Sequence, residues 1–119
     1  MNIESFRDYC LAKKGVEETF PFGETTLVFK VMGKMFALTG LDSIEFTVNL
    51  KCDPARAIEL REQYTEVQPG YHMNKQHWNT ISCEGSLEDE LLFELIDHSY
   101  QLVADSLPKK LKEELQNLP

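Results

Sequence analysis

Three stretches of the chain alternate between apolar and polar residues, which is the period of a β-strand with one covered face. They cover residues 26–32, 35–39 and 44–51. Gly33-Lys34 separates the first two and predicts a two-residue hairpin of type II′ with Gly33 at positive φ. The pattern therefore predicts a three-stranded antiparallel meander. In its third strand the residues expected to face inward are Ile44, Phe46, Val48 and Leu50.

Other stretches repeat apolar residues every three or four positions, which is the period of an amphipathic helix. Helices are predicted over residues 3–14 and 54–64, from Ser86 to a break at Ser106-Leu107-Pro108, and over 109–117. Asn2 and Asp53 are expected N-caps, and Ser86 is expected to form a capping box with Asp89. The helix over 54–64 is expected to bury Ala57, Leu60 and Tyr64. Its charged residues are expected to form a solvated face: Arg56, Glu59, Arg61 and Glu62.

The remaining segments complete a single domain over residues 1–119. Residues 16–24 contain Phe20-Pro21-Phe22-Gly23 and are interpreted as an ordered connection, because Pro21 prevents a helix. Short strands are predicted at 66–68 and 78–83. The expected fold is α+β, a two-layer sandwich with helices covering an antiparallel sheet of four or five strands.

Composition narrows the classes of partner. The chain has 20 acidic and 12 basic residues, a net charge of −8. This balance disfavours nucleic acid, whose binding depends on Lys and Arg, unless the cations are gathered locally. The three cysteines are odd in number and widely spaced, and no secretory signal is visible, so a reduced cytosolic protein is expected. No apolar run approaches the roughly 20 residues of a membrane helix.

One segment, residues 69–79, concentrates unusual side chains and is called the 69–79 loop below. It holds the only Trp and two of the three His residues, beginning at the turn-forming Pro69-Gly70. Trp78 is expected to be buried, because a lone Trp beside such a turn usually packs. Two interpretations stay open: a binding site that uses the polar side chains, or a structural clasp.

Metal binding and catalysis have little support in the sequence. His72, His77 and Cys83 do not match a recognised zinc spacing, and no phosphate loop or nucleophile elbow occurs. Nucleophilic catalysis by a Cys-His pair would need Cys52 or Cys83 close to a His of the 69–79 loop, together with an oxyanion hole. The sequence shows that these residue types are present but not that they meet. The expectation is a protein that is not an enzyme and holds no cofactor or metal.

Several motifs occur in an order that spans nearly the whole chain. They are Phe20-Pro21-Phe22-Gly23, Phe29-Lys30-Val31, Gly33-Lys34-Met35-Phe36-Ala37, Leu50-Lys51-Cys52-Asp53-Pro54, the run from Pro69 to Trp78, and Ser99-Tyr100-Gln101-Leu102-Val103. With them the chain resembles the MmcQ/YjbR family of small bacterial proteins. The resemblance implies a CyaY-like sandwich and DNA binding through two wings. The wings would be the hairpin at Gly33-Lys34 and the loop that carries Lys75 and His77.

Two hypotheses about function follow. The first is weak, salt-dependent binding of DNA by a regulatory module. The second is a small acidic protein-interaction module that binds no nucleic acid. Under either, the chain is expected to be a monomer or small homo-oligomer without a membrane role. The candidate residues for contact with nucleic acid or a protein partner are Lys30, Lys34, Lys51, His72, Asn74, Lys75 and His77.

Overall fold

The computed structural model describes residues 1–71 and 73–119. In chain order its elements are α1 (Ile3–Leu11), β1 (Val16–Thr19), β2 (Thr26–Val31), β3 (Lys34–Gly40), β4 (Thr47–Lys51), α2 (Pro54–Gln63), β5 (Val67–Pro69), β6 (Trp78–Ser82), α3 (Asp89–Asp105) and α4 (Lys109–Gln116).

All the strand pairs are antiparallel, in the order β1-β2-β3-β4-β6-β5. The predicted α+β sandwich is confirmed, with six strands rather than four or five. The extra strand is β1, in a segment interpreted from the sequence as a connection. It runs Val-Glu-Glu-Thr and lies at the sheet edge. An edge strand needs few apolar residues, so the alternation that marks the central strands is missing from β1.

The helices cover one face of the sheet, and the main core lies between the two layers. Phe6 of α1 meets Phe29 of β2 edge to face, with ring centroids 5.5 Å apart. Leu92 and Ile96 of α3 are almost completely buried in the same cluster. The opposite face carries no helix, and we call it the open face. Its residues alternate with the core residues along each strand.

Two predicted strand details need correction. The third meander strand begins at Thr47, and Ile44, expected to face inward, is fully exposed in the preceding loop. The hairpin turn is Met32-Gly33, because Val31 pairs with Lys34. Met32 and Gly33 have φ values of 49° and 87°. Positive φ at Gly33 is confirmed, but positive values at both central residues indicate a type I′ turn rather than type II′.

The predicted start of α1 is confirmed, whereas the predicted start of α3 is wrong. Asn2 caps α1 as predicted, with Oδ1 accepting from Ser5 N at 2.8 Å, although the helix ends at Leu11 rather than residue 14. The capping box at Ser86 is wrong, and α3 begins at Asp89 without a side-chain cap. Ser86 instead donates its hydroxyl and its N–H to the Glu66 carboxylate, at 2.6 and 2.8 Å. A contact with a residue twenty positions away competes with the local cap.

Ser99 of α3 is fully buried where β3 and β4 stop pairing. Its hydroxyl donates to Phe36 O at 2.5 Å and accepts from Lys51 N at 2.9 Å. The hydroxyl therefore bridges two backbone groups that the ladder leaves unpaired, as buried polar groups require. This contact fixes the end of β4, where Lys51 lies.

Candidate binding surfaces

The direction of the strands brings several candidate residues to one end of the sheet. The Met32-Gly33 turn follows β2, and Lys51 ends β4 opposite Trp78, where the 69–79 loop enters β6. The C-terminus of α3 reaches the same end, because Lys34 Nζ donates to Ser106 O at 3.4 Å. The two predicted wings therefore lie at one end of the molecule.

We call this region the basic end. Its lysines are Lys14, Lys34, Lys51, Lys75, Lys109 and Lys110. Within the described residues, none of these ammonium groups lies within 4.0 Å of a carboxylate oxygen. The ion pairs among the described residues use other cations: the N-terminal ammonium group with Asp89, Arg7 with Glu18, Lys13 with Asp97, and Arg56 with Glu94. Two carboxylates at this end are engaged locally, since Asp53 caps α2 and Asp105 accepts from Gln101 at 2.8 Å.

The other end of the sheet is acidic. The loops before β2, between β3 and β4, and between β6 and α3 meet there. They carry Glu24, Asp42, Glu45, Glu84 and Glu88, and the first turn of α3 adds Asp89 and Glu90. The charged loop residues are therefore unevenly divided between the two ends, although α4 also brings the exposed carboxylates of Glu113 and Glu114 to the basic end and the net charge is −8.

Lys30 is not part of the basic end and lies on the open face of β2. Its cross-strand neighbours are Glu17 in β1 and Met35 in β3. Within the described residues, however, no carboxylate oxygen lies within 4.0 Å of the Lys30 ammonium group, so Lys30 differs from the lysines of the basic end in position rather than in pairing.

The 69–79 loop is held together by its own polar groups. Asn74 O accepts from His77 N at 3.3 Å and from Trp78 N at 3.0 Å. Asn74 Oδ1 accepts from Gln76 N at 2.9 Å. Lys75 Nζ donates to Gly70 O at 3.0 Å across the loop. Asn74 and Lys75, two of the predicted contact residues, therefore stabilise the loop itself, while both remain exposed.

Arg61 of α2 clamps the loop from the helix side. Its guanidinium donates to Asn79 Oδ1 at 2.7 Å, to Trp78 O at 3.3 Å and to Lys75 O. The expectation that Arg61 belongs to a solvated charged face is therefore wrong. Arg61 follows the buried Ala57 by one helical turn, so it borders the inward side of α2 and meets the loop there.

Trp78 is buried as predicted, with 8% of its surface exposed. It lies on the open face, beside Lys51, rather than in the core under the helices. Gly70 packs directly against it, since a Cβ at Gly70 would lie 2.8 Å from Trp78 Cβ. His77 is half-buried, and its carbonyl accepts from Cys52 N at 2.8 Å. His72 lies outside the described residues.

The geometry also bears on the metal and Cys-His alternatives. His77 precedes β6 and Cys83 follows it, so the strand separates them by roughly 20 Å. Burial raises the pKa of Cys10 and Cys83 to about 12 and that of Cys52 to about 11. The thiols are therefore protonated at neutral pH, and a protonated thiol is a poor nucleophile or metal ligand.

His98 was not singled out by the sequence and lies beside the start of α2. Its Nε2 accepts from Asp53 N at 3.2 Å, so the imidazole is neutral and protonated at Nδ1. Burial lowers the pKa of His98, and the nearby Arg56 lowers it further. In the sequence, His98 is recognisable only as a polar residue of the predicted last long helix, and nothing there indicates its contact with Asp53.

Together, the single antiparallel sheet, its helix-covered face and its open face define a small α+β domain with a two-layer architecture. The family model described as YjbR matches residues 11–102. The chain belongs to the YjbR family. Among the described residues, no helix combines the length and apolar character needed to cross a membrane.

Relatives and solved structures agree with this assignment. The chain is 35% identical to YjbR of Escherichia coli K12, covering 99% of this chain and 100% of that protein. It is 41% identical to YbdF of Escherichia coli O157:H7 over 80% of this chain and 78% of that protein. The crystal structure of Deinococcus radiodurans protein DR2400, with the domain DUF419, matches at 40% identity and a TM-score of 0.90. That match covers 99% of this chain and 89% of the other.

Proposed function

We propose that the basic end binds duplex DNA weakly and without marked sequence preference, by contact with phosphates. The observation that carries the proposal is the set of lysines gathered at one end of the sheet without carboxylate partners. Free ammonium groups release counterions when they meet phosphates, whereas ion-paired cations must first give up a partner. Lys34 at the hairpin and Lys75 in the 69–79 loop correspond to the two wings.

The charge distribution limits the strength of this binding. A duplex can approach only at the basic end, because the carboxylates of the opposite end repel phosphates. About three or four phosphate contacts give a slope near −3 in log affinity against log salt. Affinity at physiological salt is then about micromolar or weaker, in the range of non-specific binding.

Fluorescence anisotropy with labelled duplex DNA, titrated at several salt concentrations, tests the proposal. Lys34→Gln is expected to weaken binding because one phosphate contact is lost. The slope of log affinity against log salt should become less steep by about 1. Thr25→Glu is the matched control, since it also changes the net charge from −8 to −9 but lies before β2, at the acidic end. Absence of binding at low salt, or equal weakening by both variants, would refute the proposal.

A second candidate function, interaction with a protein, is favoured by a different observation. Two neighbouring loops at the acidic end expose large apolar side chains, and Leu41 N donates to Thr25 O at 2.7 Å between them. The exposed residues are Phe20, Phe22, Leu41 and Ile44. Leu41 and Ile44 line one surface depression together, and large apolar side chains exposed together commonly mark an interaction site.

Affinity capture from nuclease-treated lysate separates this candidate from DNA binding. Ile44→Ser is expected to lose a partner that the wild-type protein retains. Ile58→Ser is the control, because Ile58 is 53% exposed but lies on α2. A partner lost only after nuclease treatment would support DNA binding instead.

A further inference from the structure

A groove with a volume of about 750 Å³ lies on the open face of the sheet. Its floor is formed by Leu38 of β3, Asn49 of β4 and Thr80 of β6. Leu38 is only 6% exposed although no helix covers this face. A concave site of this size is typical of pockets for small organic molecules.

Two aromatic rings stand on the walls of the groove. Phe22 comes from the loop before β2, and Tyr71 from the 69–79 loop. Their surfaces are 67% and 69% exposed. Large rings exposed on both sides of one groove provide apolar area and flat surfaces that a planar ligand can contact.

The floor supplies a hydrogen-bond donor. Thr80 Oγ1 accepts from Tyr71 N at 2.9 Å and donates its own hydrogen to Asn49 Oδ1. This chain of hydrogen bonds fixes the amide of Asn49. Its Nδ2 has no acceptor among the described residues. The groove therefore offers amide N–H groups to a ligand that brings an acceptor, such as a carbonyl oxygen.

The charge of the lining selects against anions. No Lys, Arg or His of the described chain lines the groove, and Asp42 contributes a carboxylate. Among the described lining residues, a phosphate or carboxylate would find no counterion, and Asp42 would repel it. A neutral or cationic ligand meets no such penalty.

We propose that this groove binds a small planar aromatic molecule, neutral or cationic, whose carbonyl oxygen accepts from Asn49 while its ring packs against Phe22 and Tyr71. The site is distinct from the basic end, which contacts anions with its lysines. Binding in the groove therefore does not depend on the outcome of the DNA experiment.

Three indole probes with different charges test the proposal by chemical-shift titration of the ¹⁵N-labelled protein. They are L-tryptophanamide (cationic), N-acetyl-L-tryptophanamide (neutral) and N-acetyl-L-tryptophan (anionic). The first two are expected to shift the amides of Thr80 and Tyr71 with a Kd of about 1 mM, as small ligands in open pockets do. The anion is expected to bind about tenfold more weakly.

Two variants locate the binding. Phe22→Ala is expected to weaken the neutral probe about tenfold, whereas Phe20→Ala, in the same loop but outside the groove, leaves it unchanged. Asn49→Asp keeps an acceptor for Thr80 but removes the amide donors, and it is expected to weaken the neutral probe while the fold is retained. No shift at about 10 mM probe, equal binding of the anion, or indifference to Phe22→Ala would each overturn the proposal.

Discussion

The Arg61 clamp can be tested by Arg61→Met, which keeps the aliphatic part of the side chain and removes the guanidinium. The change deletes the donor to Asn79 Oδ1 and the donors to two backbone carbonyls of the 69–79 loop. Asn79 is 1% exposed, and its Nδ2 already has no partner among the described residues. The variant therefore leaves a buried side-chain amide with neither of its polar atoms bonded.

The expected loss follows from these contacts. A hydrogen bond from a charged group contributes about 1.5 to 3 kcal/mol, and a buried acceptor left unpaired costs about 1 to 3 kcal/mol. The two contributions arise from the same contacts and should not be added in full. We therefore expect Arg61→Met to lower the free energy of unfolding by about 3 kcal/mol. For a domain of this size the melting temperature should fall by about 12 °C.

Arg56→Met is the matched control on the same helix. Arg56 donates to both carboxylate oxygens of Glu94, at 2.5 and 2.7 Å, at a largely solvated site. Such surface pairs contribute about 0 to 1 kcal/mol. Urea unfolding followed by the fluorescence of Trp78, the single tryptophan, measures both variants. An Arg61→Met variant no less stable than Arg56→Met would refute the clamp.

Removing both partners provides a further check. Arg61→Met combined with Asn79→Leu leaves no unpaired amide in the interior, so the double variant should be more stable than the sum of the two single changes predicts. We expect a coupling of at least about 1 kcal/mol. Strict additivity would mean that the two side chains stabilise the fold independently.

Two other predictions concern burial and titration. Trp78→Ala should lower the free energy of unfolding by about 3 to 5 kcal/mol, because a large buried ring is lost, and an unchanged melting temperature would contradict its anchoring role. The lowered pKa of His98 means that its neutral form stabilises the fold. That contribution is fully present above the unfolded pKa of 6.5 and is lost as pH falls through the folded value. Urea unfolding between pH 7.5 and 5 should therefore show a steeper loss for the wild-type protein than for His98→Gln, and equal slopes would contradict the assignment.

Local patterns in the sequence were sufficient for most of the architecture. Alternation predicted the central strands, and helical spacing with the Asn2 and Asp53 caps predicted where α1 and α2 begin. These features depend on neighbours within a few residues, which the sequence displays directly. The burial of Trp78 was predicted from its being the single Trp of the chain, in a loop that begins at Pro69-Gly70.

Long-range contacts decided the rest. The start of α3 depends on Glu66, the clamp on the 69–79 loop depends on Arg61, and the bridge between β3 and β4 depends on Ser99. The sequence also contained every lysine of the basic end. Only the antiparallel course of the strands brings those lysines to one end and most of the loop carboxylates to the other. A linear pattern records the period of each element but not which ends meet, because that depends on the pairing of strands far apart in the chain.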